Sequence, residues 1–126
     1  MDLRSFGAWL ARYFEAWGSN DPDSVASLFA KDAEYCWGPF RESVRGRDAI
    51  VRAWVGGGAP PGYRWHVEPV AVSGDVGVAH WRVSFGDEDR VTELDGILVC
   101  EFDGDGRCTH HREWYDRREV EAESAP

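Results

Sequence analysis

The chain has 126 residues, 43% of them hydrophobic and 13% aromatic, enough for one compact domain with a core of its own. Fourteen basic residues stand against 23 acidic ones, a formal charge of −9, which excludes the basic face that a nucleic-acid partner requires. No apolar run approaches the roughly 20 residues that cross a bilayer, and Met1-Asp2-Leu3-Arg4 lacks the layout of a signal peptide; no membrane partner and a cytoplasmic location are expected.

Leu3, Phe6, Leu10, Tyr13, Phe14 and Trp17 recur at spacings of three and four, predicting a helix over about residues 3 to 17 that Gly18-Ser19-Asn20 ends. Asp21-Pro22-Asp23 supplies an N-cap, a proline in the first helical position and an acid in the first turn, opening a short second helix with Val25, Leu28 and Phe29 inward. Ala33 to Trp37 reads as a strand stopped at Gly38-Pro39, with residues 40 to 45 as loop. A third helix opens near Gly46-Arg47-Asp48, with Ala49, Ile50, Ala53 and Trp54 spaced for burial. It dissolves into the glycine- and proline-rich stretch 56 to 62, whose composition suits a mobile flap.

Four segments of strand character follow, at about 63–73, 76–85, 91–102 and 107–116, with Asp103-Gly104-Asp105-Gly106 the strongest hairpin turn. Helices segregated from a mostly antiparallel sheet make an α+β domain. The expectation is a single domain over residues 1–126, with the acidic stretch 117–126 frayed. Three cysteines, Cys36, Cys100 and Cys108, make an odd count without Cys-x-x-Cys spacing, so buried thiols are expected rather than a disulfide framework or a zinc site. Seven tryptophans are spread over nearly every element; they read either as a bulky core and subunit interface or as the flat walls of a cavity for an apolar ligand.

In this order, Tyr13-Phe14-Glu15-Ala16-Trp17, Asn20-Asp21-Pro22-Asp23 leading to Leu28-Phe29-Ala30-Lys31-Asp32-Ala33, Gly46-Arg47-Asp48-Ala49-Ile50 and the closing His111-Arg112-Glu113-Trp114-Tyr115 resemble the nuclear transport factor 2-like superfamily, specifically its SnoaL-like branch. The resemblance runs from about Phe6 to Asp116. It implies a curved sheet wrapped around a cone-shaped cavity behind three helices, and a homodimer packed through the sheet's outer face. It does not imply one reaction, because isomerases, cyclases, dehydratases, epoxide hydrolases and non-catalytic binding modules share the fold. Tyr13 falls where ketosteroid isomerases of this superfamily carry the tyrosine that donates to the developing oxyanion. Trp37 and Leu98 stand where those enzymes keep their two aspartates, so the resemblance does not carry that proton shuttle to this chain.

Closing the last hairpin over residues 103 to 106 pairs Phe102 with Arg107, Cys100 with Thr109, Leu98 with His111, Gly96 with Glu113 and Leu94 with Tyr115. That is the apolar face, so His111, Glu113 and Tyr115 are expected in the cavity. Cys108, His110, Arg112 and Trp114 are expected outside. Ala79, Trp81, Val83 and Phe85 extend the inner face, and Gly96 between Trp81 and Glu113 is expected to leave space for a hole beside Glu113, walled by Trp81 and by the aromatics of the first helix and first strand. A carboxylate and an imidazole two residues apart on one face, among aromatics, form the kind of pair that acid–base chemistry on an apolar substrate uses; the same groups in a closed structural network would only satisfy each other.

The function expected is binding of a small hydrophobic molecule; as an enzyme the chain would be a cofactor-independent isomerase, cyclase or dehydratase. Glu113 and His111 would transfer the proton, and Tyr13 or Tyr115 would donate a hydrogen bond. Trp17, Tyr35, Trp37, Trp54, Trp81, Leu98 and Cys100 would contact the substrate. The alternative is a non-catalytic binding or association module. His66, His80, His110 and His111 with the cysteines supply enough donors for a metal on paper, but no pair has a known ligand spacing, and neither metal nor cofactor is expected.

Overall fold

The computed structural model describes residues 1–122. Helix α1 spans Leu3–Ser19; Asp2 caps it by accepting from the Ser5 backbone N–H at 2.8 Å while the Ser5 hydroxyl accepts from the Asp2 N–H at 3.0 Å. It ends at Asn20, in the left-handed region at φ 58°, where the cap N–H donates to Ala16 O. Phe6, Trp9, Leu10, Tyr13, Phe14 and Ala16 form its buried stripe. Leu3, assigned inward from spacing, is 52% exposed at the helix start, and Trp9 takes an inward place instead, its indole N–H donating to Leu28 O at 3.2 Å.

Helix α2, Pro22–Ala26, is capped by Asp21 as its sequence requires. Strand β1 then begins at Phe29 and runs to Cys36, four residues earlier than the apolar run alone indicated. The cause is long-range: Phe29 pairs with Cys108 of the last strand, so a residue assigned to the helix is drawn into the sheet. Strand β2, Val44–Arg45, forms inside the stretch assigned to loop because it pairs with Glu34 and Tyr35 of β1. Helix α3 covers Arg47–Gly56.

The meander is β3 (Arg64–Ser73), β4 (Val76–Gly86), β5 (Arg90–Phe102) and β6 (Cys108–Glu121). The six strands make one sheet in the order β2-β1-β6-β5-β4-β3, antiparallel throughout except β1 with β6. The order has two ends, so this is an open curved sheet, with α1 packed over β3 and α3 over β1. Residues 117 to 121, expected to fray, extend β6 because Arg90 to Leu94 of the long β5 offer them a ladder; residues 123–126 lie outside the described residues. Among the described residues no helix is long and apolar enough to cross a membrane.

The last hairpin corrects the expected register. Its turn takes residues 103 to 107, with the Asp103 carboxylate accepting from the Asp105 and Arg107 N–H groups, and Gly106 sits at φ 77°. Phe102 then pairs with Cys108 and Glu101 with His110, which leaves Thr109 as a bulge. The strands are thereby displaced by two residues from the simple closure: Cys100 faces His111, Leu98 faces Glu113 and Gly96 faces Tyr115. A displacement of two keeps every side chain on its face, so His111 and Glu113 remain inward. Cys108, assigned to the outer face, is turned inward by the bulge and is fully buried.

Candidate functional site

Three elements converge on Glu113. Strand β6 is flanked by β1, with Tyr35 beside His111, and by β5, with Cys100 beside His111 and Leu98 beside Glu113. Helix α1 brings Tyr13 down onto the same place through its buried stripe. The Tyr35 hydroxyl donates to Glu113 Oε1 at 2.6 Å, and the Tyr13 hydroxyl donates to Tyr35 Oη at 2.6 Å. His111 Nε2 lies 3.3 Å from both Glu113 Oε1 and Tyr13 Oη, two acceptors once Tyr13 donates to Tyr35, so a neutral imidazole carries its proton on Nε2 and leaves Nδ1, 3.2 Å from Cys100 Sγ, to accept from the thiol. Tyr35 stacks on the imidazole at a centroid distance of 4.2 Å, and the Tyr13 ring lies nearly parallel to it at 5.2 Å.

Glu113 is 4% exposed and His111 1%. Burial, and then the charge of Glu113, hold the Tyr13 and Tyr35 phenols well above their ordinary range. Burial and the adjacent Cys108 thiol likewise raise Cys100. The second oxygen, Glu113 Oε2, has no hydrogen-bond partner among the described residues, and it is not among their fully enclosed polar atoms.

Glu113 lines a cavity of about 110 Å³ together with Trp17, Tyr35, Trp37, Ala53, Trp54, Trp81, Leu94 and Tyr115. Tyr115, 36% exposed, and Ala53 stand at its rim. Of the residues singled out from the sequence, Glu113, the four tryptophans, Tyr35 and Tyr115 line this space. Tyr13, His111, Leu98 and Cys100 are buried behind its wall. The indole N–H groups of Trp54 and Trp81 are enclosed without an acceptor. The hole expected beside Glu113, walled by Trp81 and by aromatics of the first helix and first strand, is this cavity, but Gly96 does not open it: a Cβ there would stand 2.7 Å from Tyr115 Cβ and nearer still to the Trp114 carbonyl oxygen. Gly96 is needed because β6 approaches closely, and Tyr115 rather than empty space lies opposite it.

Ala53 and Leu94 were not anticipated as walls, although Leu94 belongs to the apolar face of β5. Tyr35 was expected only as a wall and is the strongest donor to Glu113, because the parallel pairing of β1 with β6 leaves no local signal. His66 pairs with Glu68 at 3.3 Å on the exposed face, and His80 with Asp95 at 2.6 Å; His110 lies within 3.2 Å of Glu101. All three belong to the surface. A larger depression of about 480 Å³, lined by Arg64, His66, Arg82, Asp95 and Arg118 among others, carries charges of both signs and lies apart from the Glu113 network.

A family model for the SnoaL-like domain matches residues 10–111. A steroid Delta-isomerase of Nocardioides simplex is 33% identical over 110 residues, covering 86% of this chain and 87% of that protein. An LEH-like epoxide hydrolase of Mycobacterium tuberculosis superposes with a TM-score of 0.72 at 18% identity, over 90% of this chain and 81% of that one. An NTF-2 like protein of unknown function from Burkholderia xenovorans gives 0.69 at 17% identity, over 100% and 91%. The two structures agree with the helices and open curved sheet seen here, and the family model spans the elements that carry Tyr13, Tyr35 and His111. By sequence and by fold, the chain belongs to the SnoaL-like domain family.

Proposed function

We propose that this protein is an isomerase-type enzyme that moves a proton on a small apolar molecule bound in the tryptophan-lined cavity, with Glu113 as the proton-transfer group. One observation carries the reading. Glu113 Oε1 is fixed by Tyr35 and His111, while Oε2 has no partner among the described residues and its residue lines a cavity otherwise formed by six aromatic residues with Ala53 and Leu94. A carboxyl held by one oxygen and free at the other is oriented for general acid–base work before any ligand arrives.

Likeness to a steroid Delta-isomerase supports the reaction type. The aspartates of ketosteroid isomerases have no counterpart at Trp37 and Leu98. Yet Cys36 is the partner of Arg112 across β1 and β6, which sets Trp37 next to Glu113. A carboxylate thus reaches the same part of the cavity from the neighbouring strand. The volume of about 110 Å³ suits a short branched chain and is below the roughly 150 Å³ that admits benzene in an engineered cavity. Any larger ligand must extend past Tyr115. Tyr13 and His111 then act as positioning residues that hold Tyr35 and the carboxyl. The outer face, where Ile97 and Trp114 are paired neighbours 38% and 41% exposed, is read as a homodimer contact.

Tryptophan fluorescence titration across a panel of one-ring and polycyclic ketones finds the ligand, and isomerisation of the bound compounds is then assayed. Glu113→Gln is expected to bind the same ligand with kcat lowered by about 10²–10⁴-fold and with the thermal midpoint little changed, since Gln can still accept from Tyr35. An unchanged kcat removes Glu113 from the chemistry. Binding without turnover of any bound compound replaces the enzyme reading with that of a binding module.

A further inference from the structure

We propose a metal site, formed by Cys100, Cys108 and His111, for one thiophilic divalent ion of the zinc class. The observation behind it is independent of the Glu113 cavity. Residues 108 and 111 of a regular strand point to opposite faces. The bulge at Thr109 cancels that alternation, so Cys108 and His111 are both inward, 0% and 1% exposed, and Cys100 is the direct cross-strand partner of His111. The two sulfurs and Nδ1 all lie within 4.8 Å of one another. With bonds of about 2.3 Å to sulfur and 2.0 Å to nitrogen, donors in a zinc site stand roughly 3.5–3.8 Å apart. Small side-chain rotations convert one arrangement into the other.

Two further features fit an ion. His111 presents Nδ1 to the thiols while Nε2–H is turned toward Glu113 Oε1 and Tyr13 Oη, each at 3.3 Å. Metal-bound imidazoles are oriented in this way, with the second ring nitrogen donating to a carboxylate. The charges also close: two thiolates and a neutral imidazole cancel a doubly charged ion, leaving the ion and its donors with no net charge, whereas a monovalent ion would leave one negative charge on them. On binding, each thiol loses its proton to solvent, and two metal–sulfur bonds and one metal–nitrogen bond replace bonds to waters of the hydrated ion, which keeps one water as its fourth ligand. The new bonds also replace the Cys100 S–H bond to Nδ1 at 3.2 Å and the Cys108 S–H bond to His110 O at 3.3 Å. No electron changes hands. The cluster lies just behind the exposed 103 to 107 turn, and opening of that hairpin end provides entry.

The test uses the folded, reduced, chelator-stripped chain, titrated with Zn(II) and separately with Co(II) as a spectroscopic probe. One ion per chain is expected, with a thiolate-to-cobalt charge-transfer band in the near ultraviolet and a raised thermal midpoint in Zn(II). Cys108→Ala, whose side chain takes no part in the Glu113 network, should keep its near-ultraviolet circular dichroism but lose the band and at least about 10-fold in affinity. Cys36→Ala should keep both. Failure of the folded wild-type chain to take up either ion overturns the site, as does uptake that is the same in Cys108→Ala. If Cys108→Ala does not fold, the wild-type cobalt band decides: its presence supports the site and its absence overturns it. Loss of the site in Cys108→Ala with ligand binding in the cavity intact separates this proposal from that for Glu113.

Discussion

At Glu113 a carboxyl is held among phenol and imidazole groups in a volume from which water is largely excluded. The same burial acts on the phenols around it. Tyr13 and Tyr35 are held well above their ordinary range by burial first and by the negative charge of Glu113 second, and Tyr63 is raised by burial alone, its hydroxyl donating to Phe14 O at 2.7 Å. Below the ordinary phenol value of about 10, folded and unfolded chains both keep these protons and no stability is at stake. Above it the unfolded chain releases protons that the folded chain retains, so stability must fall as pH rises. An alkaline titration that follows phenolate absorbance and tryptophan fluorescence together should show these three phenols ionising only as the fold is lost. Ionisation of all of them near the ordinary value, with fluorescence still native, would refute the buried network.

Among the elements, the β5–β6 hairpin decides most about the site. Its alternation of apolar and polar residues assigns His111 and Glu113 inward, and the sequence is sufficient for that. Their exact neighbours depend on a five-residue turn and one bulge, neither of which alternation reveals. The consequence at Gly96 is testable. Gly96→Ala puts a methyl against the backbone of Trp114 and Cβ of Tyr115, where neither atom can rotate away. The expected cost is about 1–3 kcal/mol, as for overpacking, read as a lower urea midpoint with an unchanged slope. Unchanged stability would mean that β6 does not approach β5 as closely as the structure has it. Gly77, whose added Cβ would meet the ring of Phe6, marks a second close approach, of α1 to β4.

On the scale of the whole molecule, the sheet has one face under the helices and one bare. The paired Ile97 and Trp114 on the bare face, with Arg112 stacked over Trp114 at 5.8 Å, are where a second copy is expected. Ile97→Arg should yield a folded monomer in sedimentation velocity while the wild-type chain sediments as a dimer. A wild-type chain that is monomeric at high concentration would remove the dimer from the reading. The helix order and the two-residue alternation of the strands, together with the presence of turns near 74 and after Phe102, were legible because each depends on residues close in sequence: caps, glycines and periodic burial.

Taken alone, the sequence determined the fold family, the inward placement of Glu113 and His111, and the aromatic character of the cavity, because composition and short periods dictate which face of an element is buried. Only the tertiary structure decided that Tyr35 is the direct donor to Glu113, that Tyr13 stands behind the wall and that Gly96 admits a strand instead of a ligand. It also brought Cys108 to Cys100 and His111. These outcomes rest on the parallel pairing of β1 with β6 and on a single bulged residue. Both are fixed by contacts between segments far apart in the chain, and so leave no local pattern to read.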